Sequence, residues 1–93
     1  MITAKRLRDF WAKHSAAESA LRFWYTEVSH ASWKNILDIR KSFNSVDIHE
    51  RRTIFDIGGN KFRLIARVNF RRQVVFVLYV LTHDEYNKGD WKK

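Results

Sequence analysis

The residues of this chain that could act on a phosphate ester are concentrated after position 60. His83 and Tyr86 are three residues apart, and Arg63 follows a Gly-Gly-Asn turn. Metal-free cleavage of RNA needs a group that takes the 2′-hydroxyl proton, a group that protonates the leaving 5′-oxygen, and cations that stabilise the transition state. Histidine can act as acid or base near neutral pH, arginine offers a bidentate fork for phosphate, and tyrosine can stack on a base or donate a proton. Arg63, His83 and Tyr86 are therefore the candidate catalytic residues.

Other side chains in the same half are candidates for RNA binding. They are Asn60, Lys61, Arg67 and Lys88. Lys61 and Arg67 are expected to hold phosphates, and Asn60 could hydrogen-bond a base or a phosphate at a hairpin tip. Structural alternatives stay open for several candidates. Asn60 could be needed for its backbone in the turn, Arg63 and Arg67 could belong to a solvated sheet face, His83 could simply begin a helix, and Tyr86 could pack where helix and sheet meet.

The carboxylates of this half do not form a recognisable metal site. Asp56, Asp84, Glu85 and Asp90 occur there, without a His-Glu-x-x-His sequence and without an EF-hand loop. We therefore expect no metal and no cofactor.

Positive charge is unevenly distributed along the chain. The 93 residues carry a formal net charge of +8. Residues 1–50 hold eight Lys and Arg against six Asp and Glu, a net of +2, whereas residues 51–93 hold ten against four, a net of +6. A polyanionic partner fits this pattern, because phosphate neutralisation and counterion release supply most sequence-independent affinity for nucleic acid. A basic composition that merely serves solubility is the alternative.

The composition predicts one folded domain over residues 1–93. The chain is 45% hydrophobic and 15% aromatic, including four Trp, so it can bury a core and lacks the composition of a disordered segment. The absence of Cys excludes disulfides, thiolate nucleophiles and Cys-based zinc sites. No window approaches the roughly 20 apolar residues of a membrane helix. We therefore expect a soluble, cytoplasmic protein with no membrane partner.

Helices are predicted in the N-terminal half. Leu7, Phe10 and Trp11 repeat at helical spacing between position 3 and about position 14. The tetrapeptide Ser15-Ala16-Ala17-Glu18 is typical of a capping box, in which the hydroxyl and the carboxylate satisfy free backbone donors, so a second helix should begin there.

A third helix is predicted from Ser32 to about Lys41. Trp33, Ile36 and Leu37 would face inward, and basic residues in the last turn suit the helix dipole. Residues 42–47 contain turn formers without a clear period and predict a loop that leads into a sheet.

The C-terminal half predicts strands. Thr53–Ile57 is β-branched and aromatic, and the Gly58-Gly59-Asn60 turn tolerates positive φ, so the chain should form a hairpin. The next strand alternates with period two. One face carries Phe62, Leu64, Ala66, Val68 and Phe70, and the other carries Arg63, Ile65, Arg67 and Asn69. One face should therefore pack on the helices, while the other presents two arginines.

The last strand and helix follow a second turn at Arg71-Arg72. Val74–Leu81 is apolar on both faces, which is typical of a central strand. Thr82-His83-Asp84-Glu85 is a capping-box sequence and predicts a short terminal helix that carries Tyr86. Trp91 is expected to be exposed. Helices followed by a β-meander indicate an α+β fold, with N-terminal helices packed on a small twisted antiparallel β-sheet and a short C-terminal helix.

Two segments together resemble a known signature. The stretch from Thr53 to Ala66, followed by Thr82-His83-Asp84-Glu85-Tyr86, resembles that of HigB-type toxins of the RelE-like superfamily, and the resemblance covers roughly residues 53–88. It implies a cleft over the open face of the sheet, cleavage of messenger RNA in the ribosomal A site, and silencing by a cognate antitoxin, expected to be of the helix-turn-helix type. It also implies that Arg63 is the family's sheet arginine and that His83 and Tyr86 lie after the last strand.

One departure from the family pattern concerns the first strand of the hairpin. RelE-like enzymes often carry lysines there, whereas this chain has Ile54, Phe55 and Asp56. Lys61, Arg51 or Arg52 would have to substitute, and the identity of a general base is left open.

The sequence therefore predicts a ribosome-dependent mRNA endonuclease that is the toxin of a type II toxin-antitoxin pair. The main alternative is a non-catalytic RNA- or ribosome-binding module, which would need the basic sheet but not His83. A helix-turn-helix repressor is disfavoured, because the helix pair at residues 16–41 carries little net charge.

Overall fold

Three helices precede a four-stranded sheet in the computed structural model, which describes residues 4–43, 46–59 and 61–92. The helices are α1 (Lys5–Lys13), α2 (Glu18–His30) and α3 (Ile36–Ser42), the strands are β1 (Val46–His49), β2 (Arg52–Ile57), β3 (Phe62–Asn69) and β4 (Val74–Thr82), and the chain continues into α4 (His83–Lys88) and a 3-10 turn (Asp90–Lys92). Neighbouring strands are antiparallel in the order β1-β2-β3-β4. The predicted α+β fold is confirmed. In the described part of the chain, no helix has the length and apolarity needed to cross a membrane.

The main core lies between the helices and one face of the sheet. The two faces predicted for β3 are confirmed: residues 62–66 are all buried, but Phe62, Leu64 and Ala66 lie in this core, whereas Ile65 belongs to a separate cluster on the other face. Leu21 and Trp24 of α2 pack into the main core from the helical side. The other face of the sheet, which we call the open face, carries the arginines of β3.

The capping box predicted at the start of the second helix is wrong. Ser15–Ala17 forms a 3-10 turn, and α2 begins at Glu18 without a side-chain cap. The carboxylate of Glu18 instead accepts a hydrogen bond from Arg22, one helical turn later. Because Ser15 is part of the 3-10 turn, Ala17 rather than Ser15 is the residue that precedes α2, so the reciprocal cap does not form.

The predicted start of the third helix is also wrong. α3 begins at Ile36, and the side chain of Asn35 caps it by accepting a hydrogen bond from the backbone of Asp38. Trp33 is buried as predicted, but it lies before the helix. Leu37 is 63% exposed, and Ile39 is the buried residue of this helix. Ile36 packs against the core as predicted, so the buried face of α3 is shifted from Leu37 toward Ile39.

The sheet contains one more strand than predicted, and its order differs. The predicted loop at residues 42–47 ends in β1, which begins at Val46; positions 44 and 45 lie outside the described residues. β4 was predicted to be central but lies at the edge, because a simple meander places the last strand outermost. Its apolar residues on the open face are consequently exposed, as at Phe76.

A β-bulge interrupts the pairing of β3 with β4. Ile65 pairs with Tyr79 whereas Ala66 pairs with Val77, so Leu78 is an extra residue on β4. The alternation of side chains along β4 therefore changes phase at this position.

The turn between β2 and β3 has the predicted backbone. Gly58 and Gly59 both have positive φ, at 63° and 62°, which an L side chain adopts only with strain. Asn60 lies outside the described residues. The tight turn brings the end of β2 beside the start of β3, where Arg63 is located.

Candidate functional site

Arg63 lies buried at the start of β3, on the open face. Its Nε donates to the Asp56 carboxylate across the hairpin at 3.1 Å, and its Nη1 donates to the carbonyl of Phe62 at 3.2 Å. The guanidinium carbon lies 5.1 Å from the centre of the Tyr86 ring, within cation–π range. The Arg63 side chain is 10% exposed. Arg63 is therefore a fixed positive charge under Tyr86 rather than a freely solvated side chain.

Tyr86 is held by the C-terminal 3-10 turn. The rings of Tyr86 and Trp91 are nearly parallel, at 9°, with centres 5.2 Å apart, and the indole N–H of Trp91 donates to the backbone carbonyl of Tyr86. The expected exposure of Trp91 is wrong: it is 3% exposed. It covers Ile54 and Ile65 at the middle of the open face, forming a second, smaller apolar cluster.

The 3-10 turn is also anchored to the sheet. A guanidinium nitrogen of Arg52, on β2, donates to the backbone carbonyl of Trp91. The ring of His49, on β1, packs edge-on against the indole of Trp91, with the ring centres 5.4 Å apart. The middle of the open face is therefore covered by the C-terminal segment.

His83 is the first residue of α4, and its position is set by a capping box. Thr82 accepts from the backbone of Glu85, whose carboxylate accepts in return from the backbone of Thr82, so the predicted box is confirmed. The backbone N–H of His83 donates to the carbonyl of Lys61 at 3.1 Å. Lys61 and His83 are therefore neighbours, at the same end of the sheet as Arg63.

The imidazole of His83 is oriented by a residue of its own helix. Its Nδ1 lies 3.0 Å from the side-chain amide nitrogen of Asn87, one turn later. Because Nδ1 is engaged within the helix, Nε2 is the ring atom that can face a substrate.

The other predicted RNA-binding residues are spread more widely. Arg67 is exposed on the open face but lies four residues along β3 from Arg63, roughly 13 Å at 3.3 Å per residue. Lys88 is exposed in the last turn of α4. Asn60 is outside the described residues. The structure thus brings Arg63, Tyr86, His83 and Lys61 into one neighbourhood and leaves Arg67 at a distance.

Sequence reasoning missed three residues that hold this neighbourhood together: Asp56, Asn87 and Trp91. In the sequence Asp56 is only one of four carboxylates that lack metal-site spacing, and its pairing with Arg63 follows from the hairpin register once the turn is known. Asn87 is four residues after His83, which is a contact spacing on a helix. Trp91 had no such signal, because a 3-10 turn after Gly89 gives no periodic pattern.

The arrangement offers an imidazole with one free nitrogen, an ammonium group, a phenol and a fixed guanidinium. These are the groups that RNA cleavage without a metal requires, for proton transfer and for stabilising charge on the reacting phosphate.

Comparison with known proteins places this chain in a family. A family model of HigB toxins, described as the RelE-like toxic component of a toxin-antitoxin system, matches residues 17–89. The chain is 28% identical over 90 residues to the mRNA interferase toxin HigB of Escherichia coli K12, covering 94% of this chain and 86% of that protein. The mRNA interferase HigB of Shigella flexneri gives the same figures. That of Escherichia coli O6:H1 is 31% identical over 72 residues, covering 74% of this chain and 70% of the relative.

The match extends beyond the two segments that resemble the HigB signature, since it includes α2 and α3 as well as the sheet and α4. The chain belongs to the HigB toxin family, the RelE-like toxic component of a toxin-antitoxin system.

Proposed function

We propose that this protein is an mRNA interferase, a metal-independent endoribonuclease that cuts messenger RNA on the ribosome as the toxin of a type II toxin-antitoxin pair. The observation that carries the proposal is the position of His83: its Nδ1 is engaged by Asn87, its backbone N–H donates to the carbonyl of Lys61, and it lies on the same short helix as Tyr86, which contacts Arg63. The curated relatives are named mRNA interferases, which supports the same reaction for this chain.

The residues take distinct roles in this proposal. His83 exchanges a proton with the reacting oxygen through Nε2. Lys61, which is exposed, contacts the phosphate directly. Arg63 is fixed by Asp56 and supplies positive charge from beneath the site, where the surrounding protein strengthens its field. Tyr86 presents its hydroxyl from a ring whose position is set by Arg63 and Trp91.

The ribosome is proposed as the place of cleavage. A single imidazole provides one proton-transfer group, so the A site would position the messenger and supply the groups that this chain lacks. Activity should therefore be low on free RNA and much higher on translated messenger. Rapid, specific cutting of naked RNA by the protein alone would contradict this part of the proposal.

A His83→Gln variant tests the catalytic role. We expect it to keep the fold and most ribosome affinity while cleavage falls by about 10² to 10⁴, which is the usual contribution of a positioned acid or base. Arg63→Lys keeps the charge but loses the guanidinium geometry that bonds Asp56 and the carbonyl of Phe62 at once, so the charge beneath the site is misplaced and cleavage should fall more than binding. The measurements are messenger cleavage on ribosomes, ribosome affinity and melting temperature.

His30→Gln is the matched control, because His30 is an exposed helical histidine on α2 whose ring bonds a backbone carbonyl one turn earlier. It should leave cleavage unchanged. Full cleavage by His83→Gln would remove His83 from the mechanism. Normal ribosome binding with no cleavage by the wild-type protein would instead support the alternative, a non-catalytic RNA- or ribosome-binding module.

The antitoxin is proposed to be a helix-turn-helix protein with an acidic segment that binds over the basic open face. The net charge of +6 on residues 51–93 favours such a segment. Induced expression of the toxin alone should arrest growth, co-expression of the antitoxin should restore it, and normal growth at a verified level of folded toxin would contradict the proposal. A cytoplasmic location follows from the proposed substrate.

A further inference from the structure

Two aromatic rings lie exposed on the open face outside the neighbourhood of His83. Phe76 is 55% exposed and Tyr79 is 37% exposed, and both belong to β4. They are three residues apart, so in a regular strand they would face opposite sides of the sheet. The pairing of Phe76 with Arg67 and of Tyr79 with Ile65 instead places both rings on the open face.

The β-bulge at Leu78 is the cause of this arrangement. It changes the phase of β4, so that Val75 and Val77 still pack into the helical core while Phe76 turns to the open face with Tyr79. Bulges commonly re-aim a side chain beside a functional site. An exposed phenylalanine on an edge strand is otherwise unfavourable, because it invites association with another chain.

Positively charged residues lie near both rings. Arg67 is the cross-strand partner of Phe76, is exposed, and makes no ion pair in the part of the chain that the structure describes. Tyr79 also lines a groove between β4 and α1. The α1 residues of this groove include two cations, Arg6 and Lys13, and one carboxylate, Asp9. Aromatic rings beside exposed cations match unpaired nucleotides, whose bases stack on aromatic rings while their phosphates bind arginine or lysine.

The rings also lie on the path that leads to His83. β4 runs from Phe76 past Tyr79 to Thr82, which caps the helix that begins with His83. The distance from Tyr79 to the start of α4 is roughly 13 Å at about 3.3 Å per residue. A short segment of single-stranded RNA bound along β4 would therefore reach from these rings to His83, the proposed site of proton transfer.

We propose that Phe76 and Tyr79 form a stacking platform for unpaired RNA bases next to the cleavage site, with Arg67 binding an adjoining phosphate. The inference rests on the proposed endoribonuclease function and specifies how its substrate is held. The platform selects single-stranded RNA, because stacked bases in a duplex do not expose their faces. It contributes affinity with little sequence preference, since every base has a π-face.

Leucine variants test the platform, because leucine keeps apolar area but has no aromatic face. For Phe76→Leu and Tyr79→Leu we expect binding of a fluorescein-labelled oligouridylate to weaken by about 5- to 150-fold for each base that loses its partner. Phe76→Trp should bind at least as tightly as wild type. Arg67→Gln should reduce the slope of log affinity against log salt by about one unit. Phe23→Leu is the control, because Phe23 is 60% exposed on α2, in the helical layer.

Each result distinguishes the platform from the proposed function. Leucine variants that bind the oligonucleotide and cut messenger like wild type would overturn the platform while leaving the endoribonuclease in place. A wild-type protein that does not bind the probe would also overturn it. If the wild-type protein binds the probe through these rings but never cuts messenger, the platform stands and the proposed function fails. If the leucine variants lose affinity for the antitoxin and not for RNA, the surface belongs to the antitoxin and the inference is wrong.

Discussion

Replacing Asp56 with Asn tests how the charge at the centre of the site is held. The substitution keeps the size of the side chain and one acceptor oxygen, but it removes the negative charge 3.1 Å from the Nε of Arg63. The Arg63 side chain is 10% exposed and the Asp56 side chain is 32% exposed, so the pair is partly shielded from water.

The magnitude follows from the geometry of this pair. Two unit charges about 3 Å apart attract by roughly 5 kcal/mol at an effective dielectric constant of 20. The partial exposure of Asp56, the acceptor oxygen that the amide retains, and the cost of dehydrating the pair all reduce the net loss. We expect the free energy of unfolding to fall by about 1–3 kcal/mol, which lowers the melting temperature by roughly 5–20 °C for a domain of this size.

Thermal unfolding and messenger cleavage should be measured on the same preparations. The control is Asp47→Asn, because Asp47 is an exposed residue of β1, and this change should stay within about 0.5 kcal/mol. In an Arg63→Met background, Asp56→Asn should lower the free energy of unfolding much less, since the guanidinium charge that Asp56 neutralises is absent. A stability of Asp56→Asn equal to wild type would refute the reasoning, because Arg63 would then be held in place by other contacts.

Two further substitutions test the C-terminal part of the site. Trp91→Ala removes the side chain that covers Ile54 and Ile65, so it should destabilise the protein by about 3–5 kcal/mol. It should also reduce cleavage at temperatures where the rest of the protein remains folded. Unchanged thermal unfolding would show that the second cluster contributes little to stability. Thr82→Ala removes the reciprocal cap of α4 and should cost about 0.5–2 kcal/mol by chemical denaturation, whereas Thr26→Ala, at an exposed position inside α2, should cost less.

The parts of the fold that sequence predicted are those with local causes. The β3 alternation, the Gly58-Gly59 turn and the Thr82 capping box each depend on residues within a few positions of one another. The Ser15 box was wrong because Ser15 is wound into a 3-10 turn and does not directly precede α2, and the carboxylate of Glu18 has a different local partner, Arg22. Local rules therefore identified the signals but could not decide between competing local partners.

The errors of arrangement have a different origin. The apolar sequence of β4 suggested a central strand, but part of its apolar surface lies exposed at an edge, and the bulge at Leu78 has no pattern in the sequence of one strand alone. The burial of Trp91 depends on contacts with β1 and β2, some forty residues earlier in the chain. The candidate site residues could be identified from the chemistry of their side chains. The role of Asp56, which holds Arg63, could be identified only once the strand register was known.

The division of the apolar residues into two clusters has a consequence for motion. The segment from His83 to Lys92 is held by the small cluster of Ile54, Ile65 and Trp91, while the helices rest on the larger cluster across the sheet. Separate clusters allow separate opening reactions, so the C-terminal segment should unfold locally at a lower free energy than the whole chain. Hydrogen exchange would then report faster exchange for the amides of α4 than for those of β3. Because His83 and Tyr86 lie in that segment, local opening would switch the site off reversibly in a protein that is otherwise folded.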